Sequence, residues 1–244
     1  MSMPDRMVDV TGLAKAYDGR MVVSQVSMTL DAGQIVGLVG ANGGGKTTTL
    51  RMIAGLIRPD QGDGRVLGSP IGASNDNRRR RIGYMGQKLA LYPDLTVLET
   101  LRFHATVHGL PQPRVAIAHA IDHYGIGNIV GQRCGTLSGG WARRVQFAAT
   151  VLAAPALLLL DEPTAGLDVA TRRDIWSWIG DFAAAGHGVI ISTHDLIEAE
   201  QCPSILLYDG GVAHTQTSPA ALIQAEAAPT LEAAVLALAD RARR

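Results

Sequence analysis

The sequence predicts an α/β fold on a mostly parallel sheet, with an N-terminal antiparallel β subdomain and an inserted α-helical subdomain. Three observations carry this reading. The runs Ile35–Val39, Leu157–Leu160 and Val189–Ile191 are short and continuously apolar, as strands buried on both faces of a parallel sheet are. Each run leads into residues that carry chemistry: Gly40, Asp161-Glu162 and His194. From Thr96 to about Gly131 the pattern turns helical, with breaks at Gly109-Leu110-Pro111 and Gly125.

A chain of 244 residues fits one large domain or two small subdomains sharing a sheet. Hydrophobic residues make up 47% and aromatic residues 5%, so the expected core is aliphatic. A formal net charge of +0 offers no electrostatic reason for a nucleic-acid partner. Cys134 and Cys202 form no C-x-x-C pair, which fits a reducing compartment and argues against a disulfide framework or a zinc site. The start Met1-Ser2-Met3-Pro4-Asp5-Arg6 lacks the apolar core of a signal peptide. The most apolar stretch, Ala148 to Leu160, is too short to span a bilayer and is broken by Pro155. The expected location is cytoplasmic, with membrane attachment only through a partner.

In chain order, Val8–Leu13 and Val22–Leu30 read as strands joined at Asp18-Gly19, with Val22, Ser24, Val26, Met28 and Leu30 on one face. Tyr17 between them reads, on composition alone, as an ordinary strand-end tyrosine. Ile35–Val39 then delivers Gly40, Ala41, Asn42, Gly43, Gly44, Gly45, Lys46, Thr47 and Thr48, and a helix follows from Thr49. Strand, glycine loop and Lys-Thr at a helix start are the setting that the phosphate-binding pattern G-x-x-x-x-G-K-[ST] requires. The glycines let successive N–H groups point into one hollow, and the helix adds its positive dipole end. Lys46 supplies an ammonium for terminal phosphates, and the Thr47 hydroxyl is placed for Mg²⁺.

Arg58 to Gly64 is a dense turn signal, followed by a short strand over Arg65–Leu67. Arg78-Arg79-Arg80-Arg81 reads as a solvated charge run. Ile82–Met85 is a strand that delivers Gln87 at its carboxyl end. His104/His108 and His119/His123 have i, i+4 spacing, but no carboxylate or cysteine completes a metal set, and solvent-facing positions are expected. The helical subdomain is expected over about residues 96–153. Ser138 caps a helix with Trp141, Val145, Ala148 and Leu152 on one face, and Gly139 and Gly140 leave its first N–H groups accessible.

Two acids ending a doubly buried strand are costly unless a cation or a reaction needs them. Asp161 and Glu162 alternate in direction, so one can hold a Mg²⁺ shell while the other takes a proton from water. A helix is expected over Thr171–Ala184, the strand Val189–Thr193 leads to His194, and a strand over Ile205–Tyr208 precedes the turn Asp209-Gly210-Gly211. A short helical tail is expected over about residues 219–244, with Leu231, Ala234, Val235 and Leu238 on its inner face.

In this order, Gly40–Thr48, Gln87, Leu137-Ser138-Gly139-Gly140, Asp161-Glu162, Asp168 and His194 resemble the ATPase subunit of ATP-binding-cassette transporters. The resemblance runs from about Val8 to Val212 and implies a P-loop NTPase core that binds ATP and Mg²⁺. It implies adenine stacking for Tyr17, contact with Mg²⁺ and a membrane partner for Gln87, and general-base catalysis for Glu162. His194 would contact the γ-phosphate. Ser138-Gly139-Gly140 would serve the nucleotide of a second subunit in a head-to-tail pair. The stretches Leu91–Glu99 and Thr193–Glu200, with the short tail, look like multidrug or ABC-2-type exporter ATPases, whose permease is a separate membrane subunit. Gly44, Gly86 and Trp141 depart from the commoner Ala or Ser, Pro and Gln. A nucleic-acid-associated cassette ATPase is disfavoured by the neutral charge and the lack of tandem cassettes. A module without turnover conflicts with Asp161-Glu162 and His194.

Overall fold

Alternating apolar and polar residues fold back on themselves at Asp18-Gly19, giving β1 (Arg6–Tyr17) and β2 (Arg20–Asp31), an antiparallel pair. The computed structural model describes residues 6–73 and 75–242, so the signal-peptide reading of Met1–Asp5 lies outside the described residues. β3 (Ile35–Gly40) runs into the glycine loop and α1 (Lys46–Ala54). β4 (Gln61–Val66), β5 (Ser69–Pro70) and α2 (Asp76–Arg80) precede β6 (Ile82–Met85). The helices α3 (Val97–Val107), α4 (Pro113–His123) and α5 (Gly139–Val151) follow. Then come β7 (Leu157–Asp161), α6 (Val169–Ala184), β8 (Gly188–Thr193), α7 (Leu196–Glu200), β9 (Ser204–Asp209) and β10 (Val212–Ala213). The chain closes with α8 (Pro219–Ala225) and α9 (Leu231–Ala242).

Among the described residues the strands form one sheet in the order β5-β4-β1-β2-β10-β9-β3-β8-β7-β6. From β9 to β6 every pairing is parallel, while β1, β2, β4 and β5 pair antiparallel. The leucines of β7 explain why that strand reads as unbroken apolar sequence. Leu157 and Leu159 join the core shared with α1, β1 and β2, whereas Leu158 and Leu160 join the opposite core with α6 and α9. A third cluster lies among α3, α4 and α5, around Val97, Leu101, Ile117 and Val145. The inner face of α9 is as the spacing predicts: Leu231 and Ala234 are buried, and Val235 and Leu238 pack beside them.

Three local expectations are corrected. Val26, Met28 and Leu30 share the buried face of β2, but Val22 and Ser24 do not; Val23 is buried instead. Between the pairs Leu13↔Val26 and Lys15↔Val23, β2 gains a residue, and Gln25 there has φ 60°. This bulge moves the inward face by one residue.

The Gly-rich end of the predicted turn at Arg58–Gly64 is strand β4. Its glycines admit the neighbouring backbone: a Cβ on Gly64 would lie 2.2 Å from the Asp9 carbonyl oxygen, and one on Gly62 2.5 Å from that of Gly12.

Arg78 is not solvated. Asn75 accepts the Arg78 N–H and starts α2, which turns the Arg78 guanidinium inward to donate to the carbonyls of Pro70 at 2.8 Å and Ala73 at 3.2 Å. Burial, and then Arg79, push its pKa down from the usual arginine value.

Gly64 also has φ 143°, so Gly64→Ala combines an unfavourable backbone with a backbone clash. Urea unfolding should show a loss of about 2–4 kcal/mol relative to wild type. A loss within about 0.5 kcal/mol would contradict the close β1–β4 approach.

Candidate functional site

The register of the parallel strands gathers the candidate residues at one edge. Val39 pairs with Thr193 across β3 and β8, and Asp161 pairs with Ser192 across β7 and β8. Gly40, Asp161 and His194 therefore leave neighbouring strands on the same side, where open α/β sheets bind ligands.

The glycine loop is shaped by close approaches. A Cβ on Gly40 would lie 2.5 Å from the Tyr208 carbonyl oxygen, and one on Gly45 2.7 Å from Val23 Cβ. Gly45 has φ 97° where α1 begins, a conformation that glycine takes without strain. Lys46 is buried, and its Nζ donates to the carbonyls of Gly40 at 2.6 Å and Ala41 at 3.0 Å. A cavity of about 310 Å³ lies over the loop, lined by Val22, Asn42 to Thr48, Gln87 and Glu162.

Thr47 Oγ1 donates to Asp161 Oδ1 at 3.0 Å, and Ser192 Oγ donates to the same oxygen at 2.6 Å. Glu162 leaves the sheet with φ 47°, and its N–H reaches the Ser192 carbonyl at 3.1 Å and the Ser192 hydroxyl at 3.0 Å. Its buried carboxylate takes Gln87 Nε2 at 3.0 Å, with His194 Nδ1 at 3.3 Å and Lys46 Nζ at 3.9 Å. Lys46, Thr47, Gln87, Asp161, Glu162 and His194 thus form one connected cluster around the loop. Burial lowers the Lys46 pKa from the usual lysine value, opposed by Glu162 and then Asp161.

The other predicted site residues stand elsewhere. Tyr17 is exposed at the end of β1, with Lys15 Nζ 5.7 Å from its ring centre, and it does not line the loop cavity. Ser138 caps α5, accepting the Trp141 N–H at 3.5 Å, and both Ser138 and Gly139 are exposed. A Cβ on Gly140 would approach Thr171 Oγ1 to 3.3 Å, so this end of α5 lies beside the start of α6. The histidine pairs stack, His104 on His108 at 6.4 Å and His119 on His123 at 5.6 Å. Among the described residues no three His, Cys, Asp or Glu side chains group to hold a metal.

The Thr47 hydroxyl, Asp161 carboxylate and Gln87 amide form a different donor set, all oxygen and one carboxylate. Mg²⁺ suits such a set when substrate phosphates and water complete its shell, so these residues fit that ion. The loop fits phosphate for the reasons already given.

Several residues of the site escaped the sequence reading. Ser192 bridges the two acids, yet inside an apolar strand it carries no motif. Buried Glu198 accepts from Thr193 Oγ1 at 2.7 Å and from Thr164 Oγ1, tying the segments around His194 and Glu162 together. Arg143 and Gln146, two polar residues on the buried side of α5, reach the Gln87 segment. Ser192, polar inside a strand expected to be core, was the available signal; Arg143 and Gln146 lie off the face of α5 expected to be apolar and carried none.

A family model described as ABC transporter matches residues 23–165. The chain is 38% identical over 228 residues to the probable multidrug ABC transporter ATP-binding protein YbhF of Escherichia coli (strain K12), covering 91% of this chain and 39% of that protein. It therefore spans well under half the length of that relative. It is 35% identical over 230 residues to Nod factor export ATP-binding protein I of Burkholderia lata, covering 92% and 75% of the two chains. A solved structure of the ATP binding subunit of an ABC transporter superposes with a TM-score of 0.86 at 26% identity, covering 94% of this chain and 98% of that one.

The Lys46 shift fixes a pH dependence. With its pKa lowered in the fold, the unfolded chain holds more protons between the folded value and the usual lysine value, so stability rises with pH across that window. Urea unfolding of Lys46→Met alongside wild type should show the difference moving in favour of wild type from pH 7 towards pH 10. A pH-independent difference would contradict a buried, desolvated ammonium.

Proposed function

The chain belongs to the ABC transporter family, and we propose that within it this protein is the ATP-hydrolysing subunit that drives export through a separate membrane permease. The observation that carries the proposal is the Glu162 carboxylate, turned off the sheet towards the glycine loop and held by Gln87, His194 and Lys46. A water molecule attacking a terminal phosphate on the loop needs a base beside it and fixed positive groups around it.

On this reading Gly40–Gly45 and Thr48 cradle the phosphates of ATP, and Lys46 moves from its loop carbonyls onto the terminal phosphates. Thr47, Asp161 and Gln87 hold Mg²⁺, which when bound neutralises charge developing on the phosphates. Glu162 takes the proton of the attacking water, and Gln87 and His194 orient the carboxylate and the terminal phosphate. Burial of Lys46, Asp161 and Glu162 strengthens the contacts they make, while His194 stands exposed at the edge of the site. Tyr17 stacks on the adenine from the rim of the antiparallel sheet.

Ser138, Gly139 and Gly140 contact the nucleotide of a second copy in a head-to-tail pair, which the exposure of Ser138 and Gly139 supports. Among the described residues no helix is long and apolar enough to cross a membrane. On this reading the ATPase sits on the inner face of the cell membrane, bound to the permease. The names of the relatives, a multidrug ATP-binding protein and a Nod factor export protein, support export as the direction. The formal charge of +0 supports a protein partner over nucleic acid.

Glu162→Gln keeps the shape of the site and removes the base. Phosphate release should fall about 10²–10⁴-fold while ATP binding persists and the dimer accumulates on size exclusion. Wild-type turnover in this variant would remove Glu162 from the mechanism. Lys46→Ala should weaken a fluorescent ATP analogue about 10- to 100-fold, as loss of a charged hydrogen bond does, and unchanged affinity would overturn the loop assignment.

A further inference from the structure

Gln87 reaches Glu162 from a segment with little of its own to hold it. Gly86 precedes it, and a Cβ there would meet nothing closer than the Tyr84 ring at 3.6 Å. A glycine with that much room leaves the backbone free to wander. Nevertheless Gln87 Nε2 lies 3.0 Å from the Glu162 carboxylate, so something outside the segment fixes it.

Two residues one helical turn apart on α5 do so. Arg143 Nη1 donates to the Gly86 carbonyl at 3.3 Å, and Nη2 donates to the Gln87 carbonyl at 2.9 Å. Gln146 Nε2 donates to the next carbonyl, that of Lys88, at 3.2 Å, while its Oε1 accepts from Arg143 Nη1 at 3.0 Å. Three consecutive carbonyls are thus held by one interlocked pair. Both side chains are buried, and burial lowers the Arg143 pKa, partly offset by Asp161. Among the described residues no carboxylate pairs with Arg143. A buried guanidinium without an acid is expensive, and two backbone carbonyls with the Gln146 amide oxygen offset part of that cost by taking three hydrogen bonds from it.

We propose that Arg143, braced by Gln146, is a positioning residue that fixes the Gly86-Gln87-Lys88 backbone and so aims the Gln87 amide at Glu162. The proposal deepens the ATPase reading and rests on it. The arginine supplies the stiffness that glycine withholds. A planar fork spanning two successive carbonyls does this better than a point charge, so lysine is an incomplete substitute.

The test uses the full chain, with two readouts. In Arg143→Met, kcat for MgATP should fall about tenfold or more with KM changed less than about threefold, because a misplaced catalytic neighbour costs rate rather than binding. Arg143→Lys should recover part of kcat. Adding Gly86→Ala to Arg143→Met should also recover part, by stiffening the same backbone. Independently of turnover, trypsin should cut after Lys88 severalfold faster in Arg143→Met than in wild type, with cleavage at the other sites that the two proteins share unchanged. Should Arg143→Met fail to fold, Gln146→Leu removes the brace and should show both effects more weakly.

Wild-type kcat in Arg143→Met would overturn the proposal, as would a loss seen mainly in KM or a cleavage rate after Lys88 that does not change. Absence of turnover in wild type would instead sink the ATPase reading, while the protease comparison would still decide whether Arg143 holds the segment.

Discussion

The geometry at the sheet edge depends on one serine. Two acids in succession at the end of a buried strand cannot both be served by the same surroundings. Ser192 separates them, because its hydroxyl donates to Asp161 while the same oxygen and its own carbonyl accept the Glu162 N–H. Asp161 stays in register with β8, and Glu162 is bent into the left-handed region at φ 47°. That conformation costs a non-glycine residue about 1–3 kcal/mol, and the two hydrogen bonds to Ser192 keep it in place. The bend turns the Glu162 carboxylate to Gln87, His194 and Lys46, the arrangement on which the proposed hydrolysis depends.

The parts of the fold legible in the sequence were those set by local pattern. Doubly buried strands appear as apolar runs, and the glycine loop appears because its backbone admits no side chain at Gly40 or Gly45. The helical pattern expected from Thr96 is there, with Thr96 capping α3 through a reciprocal contact with Glu99. The misread parts depend on neighbours distant in sequence. Gly62 and Gly64 look like a turn until β1 is placed beside them, and Arg78 looks solvated until the carbonyls of Pro70 and Ala73 are brought to it. The bulge at Gln25 changes the period within a strand, which a fixed alternation cannot follow. At the candidate site, motif residues were legible and the residues that hold them were not, because Ser192, Glu198 and Arg143 act through contacts about 30 to 57 residues away.

Trp141 was a departure whose consequence the sequence left open. Arg144 stands between two tryptophans, 5.3 Å from the centre of the Trp141 ring and 5.4 Å from that of Trp178, and pairs with Asp174 on α6. Trp141 itself packs against the cluster of α3, α4 and α5 and flanks Arg144, the residue that joins α5 to α6. Cation–aromatic contacts of this kind contribute about 0.5–2 kcal/mol. An amide at that position would forgo the contact, so the tryptophan steadies the arginine that fastens α5 to α6, close to the exposed Ser138.

This fastening bears on how the two ends of the site communicate. α5 starts at exposed Ser138 and, within its first turns, carries Arg143 and Gln146, which hold the Gln87 segment. Five residues of helix span about 7.5 Å and move as a body. In the head-to-tail pair proposed above, a displacement of Ser138 by the facing nucleotide would therefore be carried by α5 to the carbonyls of Gly86, Gln87 and Lys88. Because Gln87 also touches Glu162, pairing and proton transfer would be joined through one helix and three backbone carbonyls, with no mobile intermediary. Coupling of that kind needs a contact at each end of the helix, and the two ends are an open helix start at Ser138 and a clasped backbone at Gln87.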